Sequence, residues 1–286
     1  MRNFFEHLPA TGAVCAHRGA RSIAPENTLL AFEMARQSGA HLLETDVQMT
    51  ADEHLVLFHD RGLRRTTNVT DHPAFAGAAR KSLKHFTYDQ LQLLDAGTWF
   101  LEKDPFGTIG HGDIDGPMQA QIKSQRVPLL RDLLKLCRAH NFPVNLEIKR
   151  KLPVKRAQRR IELVLDMLVA MDCQHLVLLS SFDHQELRWI KQKCPQLPTA
   201  ALIEFHHPPN LVDYLKGLQV AAYHPAENMI TAELVSLLRE HGFRVNTWTV
   251  NDQRRYKELA QMGVTFICSD WPQKMVAQGK QDVDSN

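Results

Sequence analysis

The chain lacks any run of about eighteen consecutive apolar residues, so no segment is expected to cross a membrane as a helix. It also lacks an excess of either charge. Its 34 basic and 32 acidic residues leave a net charge of +2, which argues against nucleic acid or an anionic membrane as the main partner. Cysteine is sparse and odd in number: Cys15, Cys137, Cys173, Cys194 and Cys268 include no CxxC or other metal spacing. Reduced, mostly buried thiols are therefore expected. Residues Met1 to Thr11 lack a basic stretch followed by an apolar one, and together with the thiols this leads to the expectation of a cytoplasmic protein. No GxGxxG follows the first apolar run, which argues against a dinucleotide-binding open sheet. No internal repeat or low-complexity segment is present. At 286 residues and 44% apolar composition, the chain can bury roughly three quarters of its unfolded surface, so it needs no disulfide to fold.

What is present is an alternation. Eight short apolar runs read as strands buried on both faces: Ala13 to His17, His41 to Val47, Pro143 to Lys149, Leu176 to Ser181, Thr199 to Glu204, Val220 to His224, Arg244 to Thr249 and Val264 to Cys268. Helix-like stretches lie between them, at Pro25 to Ser38, Val127 to His140, Lys155 to Met171, Asp183 to Lys193, Thr231 to His241 and Asp252 to Met262. Thr231 and Asp252 suit N-caps, and Asp183 does too, with Glu186 as its reciprocal partner. Gly39, Gly242 and Gly263 suit helix ends. Eight strand–helix units closing on themselves predict an α/β fold of the TIM (β/α)8 barrel type, one domain spanning residues 1–286. Residues 62–126 break the rhythm after the second strand and read as an insertion on the loop side, with mobile parts around the Gly- and Asp-rich stretch Asp104 to Pro117. Either a cover for the site or a plain surface excursion fits that stretch. The basic run Lys149 to Arg160 reads as the solvated start of a helix, and Gly279 to Asn286 as a frayed tail.

Barrel chemistry sits at the C-terminal strand ends. The first strand ends there in His17-Arg18. Glu44 and Asp46, two apart, share one face of the second strand. Two carboxylates side by side repel each other and resist desolvation. A bound cation relieves both costs, and oxygen-only ligands favour Mg²⁺, Ca²⁺ or Mn²⁺ over Zn²⁺. Glu147 and Lys149 repeat the device on the third strand, as a third metal oxygen and a phosphate-binding ammonium or as a plain ion pair. His59 returns to the second strand's end through a turn at Asp52-Glu53 and a short strand Leu55 to Phe58. Histidine titrates near neutral pH, so His17 and His59 beside a metal site can act as acid and base. His111, His206 and His207 read as loop residues, while His224 ends a strand and could face the site.

These residues together resemble a known family. His17-Arg18-Gly19, Pro25-Glu26-Asn27-Thr28, Glu44-Thr45-Asp46, His59-Asp60 with Leu63 and Arg65-Thr66-Thr67, and Asn145-Leu146-Glu147-Ile148-Lys149 match, in order, the pattern of the glycerophosphodiester phosphodiesterases. Thr247-Trp248-Thr249-Val250-Asn251 and Ser269-Asp270-Trp271-Pro272 extend the likeness to about residue 275. Two positions depart from the pattern, Asp52-Glu53 where a glycine is usual and Ser269 where threonine is, and both are expected to lie away from the chemistry. The resemblance implies metal-dependent hydrolysis of a small glycerophosphodiester to an alcohol and sn-glycerol 3-phosphate. It implies His17 and His59 as the acid–base pair and Glu44, Asp46 and Glu147 as ligands of one divalent cation. It further implies Arg18 and Lys149 as phosphate contacts and Phe182 and Trp248 as an apolar wall for the glycerol carbons. It also implies attack by the glycerol 2-hydroxyl through a cyclic phosphodiester. Two other readings compete: head-group cleavage of intact lipid, as in sphingomyelinase D or phosphatidylinositol-specific phospholipase C, and a barrel that binds phosphodiesters without turnover.

Overall fold

A computed structural model describes residues 3–123, 125–149 and 152–277. The expected frayed tail, Gly279 to Asn286, and Arg150 and Lys151 of the basic run lie outside the described residues. The chain opens with β1 (Ala13–His17), α1 (Leu29–Gln37), β2 (Leu42–Met49) and β3 (Leu55–Leu57). The insertion follows, with α2 (Tyr88–Gln92), α3 (Thr98–Lys103) and α4 (Gly116–Lys123). Then come α5 (Leu130–His140), β4 (Val144–Ile148), α6 (Val154–Ala170), β5 (Val177–Ser181), α7 (His184–Lys193), β6 (Thr199–Ile203) and α8 (Leu211–Leu218). The last units are β7 (Ala222–Pro225), α9 (Ala232–Glu240), β8 (Arg244–Thr247), α10 (Gln253–Gln261) and β9 (Phe266–Ser269).

The strands run in the order β1-β9-β8-β7-β6-β5-β4-β2, and β1 pairs with β2 to close the ring. All eight pairings around the ring are parallel. This is the expected TIM barrel. The strand period of two explains its two apolar layers. Val14, Ala16, Leu43, Val47, Val144, Leu146 and Ile148 point outward against the helices. Ala13, Cys15, Leu42, Leu178, Ala200 and Ala222 point into the barrel, where Phe4 joins them. β3 lies outside the ring as the return arm of a hairpin, antiparallel to β2 with Val47 opposite Leu57.

Several local expectations change. The first helix starts at Leu29, not Pro25, because Thr28 is the residue whose side chain caps it at Ala31 N, 3.2 Å away. Pro25 to Asn27 form a turn in which Asn27 adopts φ +56°. Thr231 and Asp252 cap their helices as expected. Asp183 caps α7, but Glu186 does not reciprocate: it is buried and bonded to Arg160 at 2.6 Å. α8 has no counterpart among the expected helices. The basic run is not simply a solvated face. Arg156 donates to Thr50 O and Arg159 to Glu53, tying α6 to the β2–β3 turn, and Arg160 is 1% exposed.

The insertion is more than a surface excursion, because it buries its own apolar residues. Leu63, Val69, Phe75, Leu83, Phe86, Leu91 and Leu94 pack with Val56 and Phe58 of the hairpin. The Gly- and Asp-rich stretch docks as well. Thr108 Oγ1 donates to Ser22 O at 2.8 Å, and Phe106 meets Trp271 edge to face at 5.7 Å.

Arg160 also donates to the Lys149 carbonyl, so the buried pair clamps the end of β4 to α6 and α7. Removing one partner of a buried pair strands the other charge. Arg160→Met is expected to cost about 3–5 kcal/mol in urea unfolding, with Arg160→Met/Glu186→Leu recovering most of it. A single-variant loss within experimental error would contradict this reading of the pair.

Candidate active site

Strand register assembles the centre. His17 lies opposite Glu44 across β1 and β2, and Asp46 lies opposite Glu147 across β2 and β4. Glu44, Asp46 and Glu147 each offer an oxygen, and these atoms lie within 4.8 Å of one another. Burial and the neighbouring carboxylates Asp46 and Glu147 push the Glu44 carboxyl well above its ordinary range. Burial also pushes Glu147 up, with Lys149 opposing. Burial opposes ionisation of Asp46 too, but Lys149 and Arg18 outweigh it and hold that group low. Three crowded hard oxygens whose repulsion Lys149 and Arg18 only partly relieve are a donor set that fits a divalent cation of the Mg²⁺, Ca²⁺ or Mn²⁺ kind. The Lys149 ammonium sits 2.7 Å from Glu147 and 3.2 Å from Asp46.

The PENT turn supports this cluster. Asn27 donates to Asp46 Oδ2 at 2.8 Å and accepts from Thr45 Oγ1 at 2.7 Å. The Arg18 backbone N–H, in a left-handed residue at φ +57°, donates to Glu44 at 3.0 Å.

The hairpin delivers His59 as expected. Its turn places Glu53 at φ +65°, the conformation for which a glycine is usual. Beyond β3, the Gln48 amide donates to the carbonyls of Phe58 and Asp60, both at 2.7 Å, and pins the loop that carries His59. Nothing in the sequence reading singled out Gln48.

Each histidine is held by a carboxylate. His17 Nδ1 lies 2.7 Å from Asp270 Oδ1, and His59 Nδ1 lies 2.7 Å from Asp60 Oδ1. An ionised carboxylate only accepts, so the proton sits on Nδ1 in both rings. Ser269, expected to lie away from the chemistry, immediately precedes Asp270, the residue that holds His17. Ser269 itself supplies a hydroxyl that donates to Asn251 at 3.2 Å, and Asn251 donates to Asp270 at 2.8 Å. Burial, then the Arg18 charge, lowers His17 to about 4 against the opposing pull of Asp270, so it is neutral at pH 7.

The two carboxylates are joined through arginines. Asp270 takes a hydrogen bond from Arg21 at 3.2 Å, and Asp60 takes two from Arg65, at 2.7 and 3.0 Å. Arg21 and Arg65 both reach Glu26, at 2.8 Å and at 2.6 and 2.8 Å, and Arg18 joins them at 2.9 Å. An alternating chain thus runs His17–Asp270–Arg21–Glu26–Arg65–Asp60–His59.

A cavity of about 390 Å³, the size of a small-ligand site, lies at the C-terminal strand ends. His17, Arg18, Glu44, His59, Glu147, Lys149, Phe182 and Trp248 line it. Asp46, 1% exposed, is not among the residues that line it. Phe182 and Trp248 meet edge to face at 5.5 Å. His224 also lines the cavity, buried beside Asn246. His207 bonds the Tyr223 hydroxyl at 2.8 Å. His111, His206 and His207 are absent from the cavity wall.

Fold and site together define a TIM-barrel enzyme with a cation-ready, histidine-flanked centre. The family model described as the glycerophosphoryl diester phosphodiesterase family matches residues 17–274, and the chain belongs to that family. A glycerophosphodiester phosphodiesterase of Bacillus altitudinis is 32% identical over 92% of this chain and 96% of its own. One from Caldanaerobacter subterraneus subsp. tengcongensis is 30% identical over the same shares. Among solved structures, an Oleispira antarctica phosphodiesterase in complex with its product sn-glycerol-3-phosphate superposes with a TM-score of 0.79 at 25% identity, covering 98% of this chain and all of that one.

Glu26 is the hub. Burial opposes its ionisation, but hydrogen bonds from Arg65 and the charges of Arg18 and Arg21 lower it from 4.5 to about 2. A depressed carboxyl stabilises the fold fully above the unfolded value and loses that contribution as pH falls toward the folded one. Glu26→Gln is therefore expected to cost about 3–5 kcal/mol at pH 7. The gap to wild type should narrow between pH 4.5 and about 2, read from urea midpoints. A gap that stays constant across that window would contradict the assignment.

Proposed function

We propose that this chain hydrolyses glycerophosphodiesters to an alcohol and sn-glycerol 3-phosphate, with residues 1–286 acting as one catalytic domain. One observation carries the reading: two carboxylate-held histidines line one cavity with Glu44 and Glu147 of a three-carboxylate cluster. The product found in the Oleispira antarctica protein supports the same substrate class. Glu44, Asp46 and Glu147 would hold one cation, Mg²⁺, Ca²⁺ or Mn²⁺. When bound, that ion supplies charge neutralisation and polarisation at phosphorus.

The remaining work falls to the chain's own groups. Arg18 and Lys149 stabilise negative charge on the phosphate oxygens. With Nδ1 protonated and held by a carboxylate, each histidine offers Nε2 to the substrate. One, with Nε2 unprotonated, accepts the proton of the attacking hydroxyl, and the other, as an imidazolium protonated on both nitrogens, donates its Nε2 proton to the departing alcohol oxygen. Over the full turnover one water oxygen bonds to phosphorus, the bond from phosphorus to the alcohol oxygen breaks, and water's protons are shared between the products. If the glycerol 2-hydroxyl attacks first, water opens the cyclic phosphodiester in a second step with the histidine roles exchanged. Phe182 and Trp248 give the glycerol carbons an apolar wall.

Among the described residues no helix is long and apolar enough to cross a membrane. All five cysteines are free and buried, which supports a reducing, cytoplasmic setting.

His17→Ala and His59→Ala are expected to keep the far-ultraviolet spectrum and lose about 10²–10⁴ in glycerol 3-phosphate release. Exhaustive chelation should abolish release, and Mg²⁺, Ca²⁺ or Mn²⁺ should restore it. Near-wild-type turnover in either variant, or full activity without metal, would overturn the reading. Cleavage of intact phospholipid in preference to glycerophosphodiesters would move the chain to the competing lipase class.

A further inference from the structure

We propose that the insertion builds a head-group subsite, through Arg61 and Lys84, that selects glycerophosphodiesters whose leaving alcohol carries a negative charge. The proposal rests on the phosphodiesterase reading and names its substrate class.

The subsite comes from a contact within the insertion. Gly62 pairs with Ser82 in an isolated antiparallel bridge, and Leu83 N donates to Arg61 O at 2.8 Å. That pairing puts Leu83 opposite Arg61 and brings Lys84, the next residue, into the same neighbourhood, though the two cations lie far apart in the chain. Both line the cavity that contains the histidines and the carboxylate cluster. Arg61 follows Asp60, the residue that holds His59.

Their charge is uncompensated. The cavity's other lysine and arginines are already neutralised: Arg18 by Glu26, Lys149 by Glu147 and Arg160 by Glu186. Among the described residues, neither Arg61 nor Lys84 has an ion-pair partner. They are the cavity cations left over for a ligand.

Topology says which part of the substrate meets them. Phosphorus belongs beside the cluster at the ends of β2 and β4. The glycerol carbons belong on the apolar wall, Phe182 after β5 and Trp248 after β8, which lie two and three strands round the ring from β2. The alcohol then extends the other way, past His59 toward the insertion. Glu204, just after β6 and three strands round the ring from β2, also lines the cavity and repels an anion, which reinforces this direction.

The test compares kcat/KM for three compounds: glycerophosphoglycerol, the same compound with a terminal phosphate on the leaving glycerol, and glycerophosphocholine. Exposed charge pairs of this kind favour the anionic member by roughly threefold to tenfold over the neutral one. The preference should shrink at about 1 M salt, where screening acts within ~3 Å. Arg61→Ala/Lys84→Ala should bring the anionic-to-neutral ratio to about one, and Arg61→Glu/Lys84→Glu should invert the order toward glycerophosphocholine. Turnover of all three without charge preference, or a ratio unmoved in both double variants, would overturn the subsite and leave the phosphodiesterase reading standing. Turnover of none would overturn that reading itself.

Discussion

The structure is organised around the crowding of three carboxylates at the top of a barrel. Glu44, Asp46 and Glu147 are brought together by the pairing of β2 with β4, which the outward apolar residues of both strands fix. A slip of one residue would turn every one of those side chains to the other face. The crowding therefore comes with the fold, and the surroundings answer it. Lys149 spans two of the carboxylates, Arg18 approaches from β1, and Asn27 orients Asp46. The cluster is compensated enough to stay folded and remains rich enough in oxygen to take a cation.

The histidines depend on the same economy of charge. Neither stands alone: each is fixed by an aspartate, and both aspartates lead through arginines to one buried carboxylate, Glu26. A low local dielectric makes each link in such a chain strong when satisfied and expensive when broken. On the proposed reading, the consequence for catalysis is orientation. Both rings keep Nδ1 protonated and are fixed before substrate arrives, so less of the barrier goes to arranging them.

How much of this was visible in the sequence depended on distance along the chain. The His17, Glu44/Asp46 and Glu147 positions were legible because a strand's period of two places them at strand ends on the inner face. His59 was legible because a hairpin is local. The orienting shell was not. Asp270 meets His17 only because β9 closes the ring beside β1, and no local pattern announces a partner at the other end of the chain. Glu26 carried a cue in the motif around it, and Arg18 and Arg21 share its β1–α1 loop, but Arg65, which links it to Asp60, comes from the insertion. Glu186 looked like a helix cap and instead neutralises a buried arginine, since tertiary pairing overrides local capping. α8 escaped because Asn210 and Gln219, both in left-handed conformation, bound it in place of the usual cap and stop residues.

On the proposed reading the carboxylate cluster holds a divalent ion, and calorimetric titration of the chelated protein with Mn²⁺ addresses that directly. The wild-type chain should bind one ion, and Asp46→Asn, with its fold verified by circular dichroism, should lose that site. Absence of binding by the wild type, or unchanged affinity in the variant, would contradict the account.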